Sequence, residues 1–221
     1  MKKVLIVSLV VASVLLTACG TKEQTTATSK INKESETKKN NKSKGKKSLV
    51  VYFSPANSDT ADAVSSATPK VDGKSSVEYI ASVIKDETGS DSYKIIPTKA
   101  YPTDYDELAD QAKEERDKDQ RPEFKLDVNP EDYDTIFVGY PIWWYQMPMI
   151  MDSFFDKYNF DGKTIVPFNT HEGSGDGGTY DEIKKLEPKA TVKDGFNEAG
   201  DDVEKGDTDK DVKEWLEDLG L

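Results

Sequence analysis

The sequence predicts an α/β domain built on a doubly wound, five-stranded parallel sheet with helices on both faces, a three-layer α/β/α arrangement. Three observations predict it. First, Leu49-Val50-Val51-Tyr52-Phe53, Thr135-Ile136-Phe137-Val138 and Thr164-Ile165-Val166-Pro167-Phe168 are apolar runs without polar alternation. Strands covered on both faces read this way. Second, apolar residues recur at helical spacing between those runs. Third, the order is strand then helix throughout, which in one sheet calls for parallel strands joined by crossovers.

The elements follow in order from Ser48. After Leu49–Phe53 a polar stretch runs to Gly73. Ser75 with Glu78 then forms a capping box, and Val77, Ile80, Ala81 and Ile84 mark the buried stripe of a helix. Tyr93–Ile96 reads as a strand ended by Pro97. Thr103 with Asp106 caps a polar helix to about residue 119. Thr135–Val138 is the third strand, and Pro148 suits the first position of a helix through Phe155. Thr164–Phe168 is the fourth strand. Thr179 with Glu182 caps the next helix, Thr191–Phe196 is a weak fifth strand, and Val212, Trp215, Leu216 and Leu219 make a last amphipathic helix.

Ahead of this domain lie two segments of another kind. Residues 1–19 carry Lys2 and Lys3, an apolar run from Val4 to Leu16, then Leu16-Thr17-Ala18-Cys19. The run is short for a membrane span and suits a signal peptide. Its end resembles a bacterial lipobox, which implies cleavage before Cys19, lipidation of that cysteine and placement on the outer face of the cell membrane. Two acyl chains hold a protein to a bilayer where one does not. Cys19 is the only cysteine, so neither an internal disulfide nor a cysteine metal cluster is available, and no metal site is expected. Residues 20–47 are poor in large apolar side chains and hold nine Lys against three Glu, as a disordered tether would. Residues 48–221 carry 19 basic and 39 acidic residues, a net charge of −20. The tether should lie along an anionic membrane and the domain should be repelled from it. A nucleic-acid partner is not expected, because no basic face is large enough to neutralise phosphates.

In an open parallel sheet ligands sit at the carboxyl ends of the strands, near the point where strand order reverses. Three loops there are unusual. The first opens Ser54-Pro55-Ala56-Asn57-Ser58, with small donors suited to a phosphate. The next is Gly139-Tyr140-Pro141-Ile142-Trp143-Trp144-Tyr145-Gln146-Met147-Pro148, with two of the chain's three tryptophans side by side. Such aromatic area in a loop packs on something, whether a ligand, the core or an interface. The last is Asn169-Thr170-His171-Glu172-Gly173-Ser174-Gly175-Asp176-Gly177-Gly178, whose glycines allow close backbone approach to a ligand. His171 is the only histidine and has no Cys or Ser nucleophile paired to it in the sequence, so a hydrolase triad has little support.

Taken together, the hydroxyl-rich first loop, the Gly-Tyr-Pro-Ile-Trp-Trp loop and the Phe-Asn-Thr-x-x-Gly-Ser-Gly loop resemble the flavodoxin family. Tyr101-Pro102-x-x-Tyr105 and Arg121-Pro122 extend the likeness, which covers about residues 48–187. The resemblance implies FMN as cofactor. Ser54, Asn57 and Ser58 would meet its phosphate. Tyr140, Trp143 and Trp144 would line the ring, and Thr170, Gly173, Ser174 and Gly175 would close its other side. It also implies electron transfer or oxidoreductase chemistry, with a redox partner protein or a quinone-like small molecule as the other party. An apolar, acidic surround implies a low potential, since added negative charge is poorly solvated and repelled there. An NAD(P)H-dependent quinone-type reductase and a flavodoxin-shaped lipoprotein without flavin are the alternatives.

This sequence departs from the family pattern twice. About fifteen residues, 59–73, stand where flavodoxins have a tight Thr-Gly-Asn-Thr loop, and the ring loop lacks the glycine used for a redox-linked peptide flip. The extra segment contains Asp62-Ala63-Val64-Ser65-Ser66-Ala67-Thr68. It resembles the acceptor motif of flavin transferases, which implies FMN held through a phosphoester on Thr68.

Overall fold

The computed structural model describes residues 47–55 and 73–221. Cys19, Asn57, Ser58, Thr68 and the whole acceptor motif lie outside the described residues. Strand β1 is Ser48–Phe53, β2 Asp91–Pro97, β3 Phe124–Lys125, β4 Thr135–Pro141, β5 Thr164–His171, β6 Thr191–Val192 and β7 Phe196–Ala199. The helices are α1 Ser76–Thr88, α2 Tyr105–Asp117, α3 Met149–Lys157, α4 Thr179–Leu186, α5 Gly200–Lys205 and α6 Thr208–Asp218.

The sheet order is β3-β2-β1-β4-β5-β6, with β7 also on β5. Every pairing is parallel except β2 with β3. Strand order therefore reverses between β1 and β4. The expected doubly wound sheet is present, with two refinements. An antiparallel β3 of two residues closes one edge. The fifth strand is split, β6 pairing Thr164–Ile165 and β7 pairing Phe168–His171. The split falls opposite Pro167. The N–H of Lys193 reaches the carbonyl of Ile165 (2.9 Å), so alternate residues of β5, Pro167 among them, face that side. Proline has no N–H to give there, and the pairing lapses for lack of a donor.

Two cores flank the sheet. Leu49, Val51, Phe53, Val138 and Tyr140 pack with α2, α3 and α4 through Leu108, Ile150, Phe154 and Ile183. Val50, Phe137, Val166 and Phe168 pack on the other face with α1, α5 and α6 through Val77, Ile80, Ile84, Val203, Val212 and Leu216. Gly139 is where the second core presses hardest. A Cβ there would lie 2.1 Å from the ring of Phe168, so only glycine admits that ring against β4.

The helix ends follow the sequence with small shifts. Ser75 caps α1, its hydroxyl accepting from the Glu78 N–H (3.3 Å). The Glu78 carboxylate does not close the box; it accepts from the Tyr52 hydroxyl (3.3 Å). The cap of α2 is Asp104 rather than Thr103, with the Glu107 N–H as donor (3.1 Å). Asp is the stronger acceptor, and Asp106 and Glu107 add negative charge to the first turn. Thr179 is the first residue of α4 rather than its cap, and Gly178 caps without a side chain. The Thr179 hydroxyl is used elsewhere, as described below.

Candidate functional site

The loop after β4 splits its aromatic residues between two tasks. Tyr140 and Trp143, expected along a ring, are buried in the core. Trp143 stands edge-on to Phe53 (5.5 Å) and Tyr101 (5.3 Å). The Tyr140 hydroxyl shares a hydrogen bond with the Thr179 hydroxyl (2.8 Å), and burial pushes its pKa far up, so it stays neutral. Trp144 and Tyr145 point outward and are 41% and 76% exposed.

Those two residues form a two-residue turn with φ of 51° and 62°. It is closed on both sides, Trp143 N–H to Gln146 O and Gln146 N–H to Trp143 O, each 3.0 Å. Bulky residues seldom take positive φ. Local contacts hold them here. The Trp144 indole N–H donates to the Ala109 carbonyl on α2 (3.1 Å), and Arg116 and Lys113 lie over the ring at 5.5 and 6.0 Å. The Tyr145 carbonyl meets Gly177 so closely that a Cβ there would lie 2.8 Å from it. The loops after β4 and β5 therefore support one another.

The second loop is fixed from beneath. Asn169, fully buried, donates to the Gly175 carbonyl (3.2 Å) and accepts from the Tyr180 hydroxyl (2.6 Å). Thr179 donates to the Asp176 carbonyl (2.7 Å). His171 Nδ1 accepts from the Gly173 N–H (3.0 Å), a turn contact that uses the ring for shape. Gly173, Gly175, Gly177 and Gly178 all have positive φ, which opens the loop outward.

Between the loops lies a cavity of about 360 Å³ lined by Tyr105, Ile142, Trp144, Tyr145, Glu172, Gly173 and Ser174. It brings the expected Trp144, Gly173 and Ser174 together. Gly175 stands in the same loop, near the Asn197 side chain. Sequence reasoning passed over Tyr105, Tyr145 and Glu172 as liners. Tyr105 stood within the quoted Tyr-Pro-x-x-Tyr motif, and its place at the start of α2 opposite the aromatic loop was the available signal. Beside the cavity, Thr170 is 1% exposed and its hydroxyl has no hydrogen-bond partner. Ser54 is buried at the end of β1. The unpartnered Thr170 hydroxyl leaves a donor for a ligand.

A larger cavity, about 840 Å³, lies elsewhere, between α2 and the β2–β3 edge. Its floor is a Tyr101–Glu115–Gln111 network, the tyrosine donating to the carboxylate (2.9 Å) and Gln111 to its other oxygen (2.8 Å). Burial raises the Glu115 pKa, these hydrogen bonds opposing it. It lies against the loop that follows β2, through Thr98, Lys99 and Tyr101, and its lining has no aromatic face except Tyr101. Among the described residues no group of three or more His, Cys, Asp and Glu could hold a metal ion, and no helix is long and apolar enough to cross a membrane.

Known proteins match this arrangement. The flavodoxin family model matches residues 47–219. A candidate flavoprotein from Bacteroides eggerthii is 27% identical, with a TM-score of 0.60 over 80% of this chain and 99% of that one. One from Bacteroides uniformis is 26% identical, with a TM-score of 0.62 over 79% and 99%. A Lactobacillus acidophilus flavoprotein solved with FMN shares the fold at 19% identity, with a TM-score of 0.53 over 75% and 97%. Among curated proteins none matches the sequence. The family model takes in every strand and both loops that wall the cavity, and the chain belongs to the flavodoxin family.

Proposed function

We infer that the domain binds FMN at the carboxyl ends of its strands and works in electron transfer or as an oxidoreductase on the outer face of the cell membrane, anchored through Cys19. The observation that carries the cofactor is the cavity walled by Trp144, Tyr145 and Tyr105 on one side and Gly173–Ser174 on the other. Its lining suits a flat ring: aromatic faces stack, and a glycine backbone allows close approach. The unpartnered Thr170 hydroxyl offers a donor to the polar part of the same molecule. FMN, when bound, supplies transfer of electrons or of a hydride. The protein's own part is to hold and cover the ring. Glu172 on the cavity wall, within a domain of net charge −20, opposes added negative charge and favours a low potential. That suits an electron donor to a partner protein or a quinone-like molecule.

The finer reading places FMN on Thr68 through a phosphoester. Its support is the sequence match at Asp62, Ser65, Ser66, Ala67 and Thr68 in the loop that grips phosphate in flavodoxins. A covalent link would also keep an exported protein from losing its cofactor. Protein purified from its native host should be yellow, with flavin absorbance. After denaturation an FMN-sized adduct should stay on the peptide containing Thr68 and vanish in Thr68→Ala. Colourless protein that takes up no FMN overturns the cofactor. Freely extractable FMN beside an unmodified Thr68 overturns only the ester.

The anchor has its own test. Cys19→Ala should move the protein from the membrane fraction to the soluble one, or leave it unprocessed. A variant that matures and partitions as the parent does would show that Cys19 is not lipidated.

A further inference from the structure

Two buried polar atoms without partners belong to paired residues on neighbouring strands at the carboxyl edge of the sheet. They are Thr170 Oγ1 on β5 and Glu198 Oε2 on β7. Thr170 and Glu198 are direct partners in the parallel register of those strands. Their side chains therefore leave the sheet on one face, the face that carries α1, α5 and α6. Ser76, in the first turn of α1 on that face, has a third unpartnered buried oxygen. Natural structures seldom leave adjacent buried polar atoms unmet, so a shared partner is called for.

The hydrogen bonding of Glu198 says what that partner must be. Glu198 Oε1 accepts from the Thr208 hydroxyl at the start of α6 (3.0 Å). Burial pushes the Glu198 pKa up to about 7, the Thr208 hydrogen bond opposing this while Asp211 of α6 and Asp202 of α5 add repulsion. From β5 the facing residue is the uncharged Thr170. With Oε1 accepting, the proton of the acid form sits on Oε2. Both orphaned atoms are then donors, and two neighbouring donors ask for an acceptor oxygen.

We propose that Glu198, as a neutral acid, joins Thr170 in donating to an acceptor oxygen of the ribityl-phosphate chain of the bound flavin, which makes β7 part of the cofactor site. The proposal rests on the FMN reading above and adds a residue to it. Glu198→Gln mimics the acid form, its amide N–H standing in for the Oε2 proton and its carbonyl accepting from Thr208.

The experiment is FMN titration of wild type and Glu198→Gln between pH 6 and pH 8, with thermal unfolding of both without ligand as the control on folding. Wild-type affinity should fall by about tenfold over that range relative to Glu198→Gln, because only the protonated form donates. At pH 6 the two should bind alike. The comparison cancels the titration of the FMN phosphate, which both proteins meet equally. Riboflavin separates the two sources of the oxygen. The same pH difference with riboflavin assigns it to a ribityl hydroxyl, and its disappearance assigns it to the phosphate. Parallel pH courses for the two proteins with FMN would overturn the role of Glu198 and leave the FMN reading standing. A pH difference in unfolding that is as large without ligand, with none in FMN affinity, would mark Glu198 as structural only and overturn it too. Failure of wild type to bind FMN at any pH overturns both.

Discussion

Truncating Trp143 to alanine should cost the domain about 3–5 kcal/mol, the usual loss when a large aromatic leaves a packed core. Trp143 is 2% exposed and edge-on to Phe53 and Tyr101, so its removal forfeits packing that its neighbours cannot fully replace. Its neighbour should behave oppositely. Trp144 is 41% exposed and makes one hydrogen bond to α2, so Trp144→Ala should lower stability by only about 1 kcal/mol. It removes one wall of the cavity, however, and flavin affinity should drop by about tenfold. Urea unfolding and FMN titration of the two variants separate the effects. A Trp143→Ala protein with an unmoved unfolding midpoint would show that the ring is not part of the core.

Gly139→Ala should be nearly as damaging through the smallest possible change. The added methyl would lie 2.1, 2.4 and 2.8 Å from three atoms of the Phe168 ring. Phe168 is fully buried between the strand and α1, α5 and α6, so its ring cannot swing clear. Overpacking of this kind costs about 3 kcal/mol, or more where the neighbours are rigid. The second half of the test is rescue. Phe168→Leu alone should destabilise by leaving a gap, but combined with Gly139→Ala it should recover part of the loss. Strict additivity of the two changes in a double-mutant cycle would sink the explanation.

How much of this was legible in the sequence depended on the length of each signal. The central strands announced themselves because Leu49–Phe53, Thr135–Val138 and Thr164–Phe168 are long apolar runs. Phe124–Lys125 did not, since a strand of two residues is too short to show a period. The lapse between β6 and β7 could have been read from Pro167, a residue that cannot donate within a central strand, but only with its neighbours' order in hand. The loops were identified as the site region by their place at the carboxyl ends of the strands and by their composition. Composition could not say which tryptophan turns inward. That is decided by the tight turn at Trp144–Tyr145, whose positive φ values are unusual for such side chains. Glu198 was invisible for a similar reason: its meaning comes from Thr170 across a strand pair and Thr208 ten residues on, not from its own surroundings in sequence.

The two ends of the sheet have a consequence for how crowded this protein can become. An open strand edge invites pairing with another molecule, and the invitation grows with the length of exposed backbone. Here one end is finished by the two residues of β3 running the opposite way, against a β2 that ends in Pro97. The other is finished by β6 and β7, of two and four residues, out of line with each other across Lys193-Asp194-Gly195. Neither offers a straight ladder on which a second copy could dock. Many copies can therefore stand close together without their sheets merging, and a domain of net charge −20 adds mutual repulsion to that.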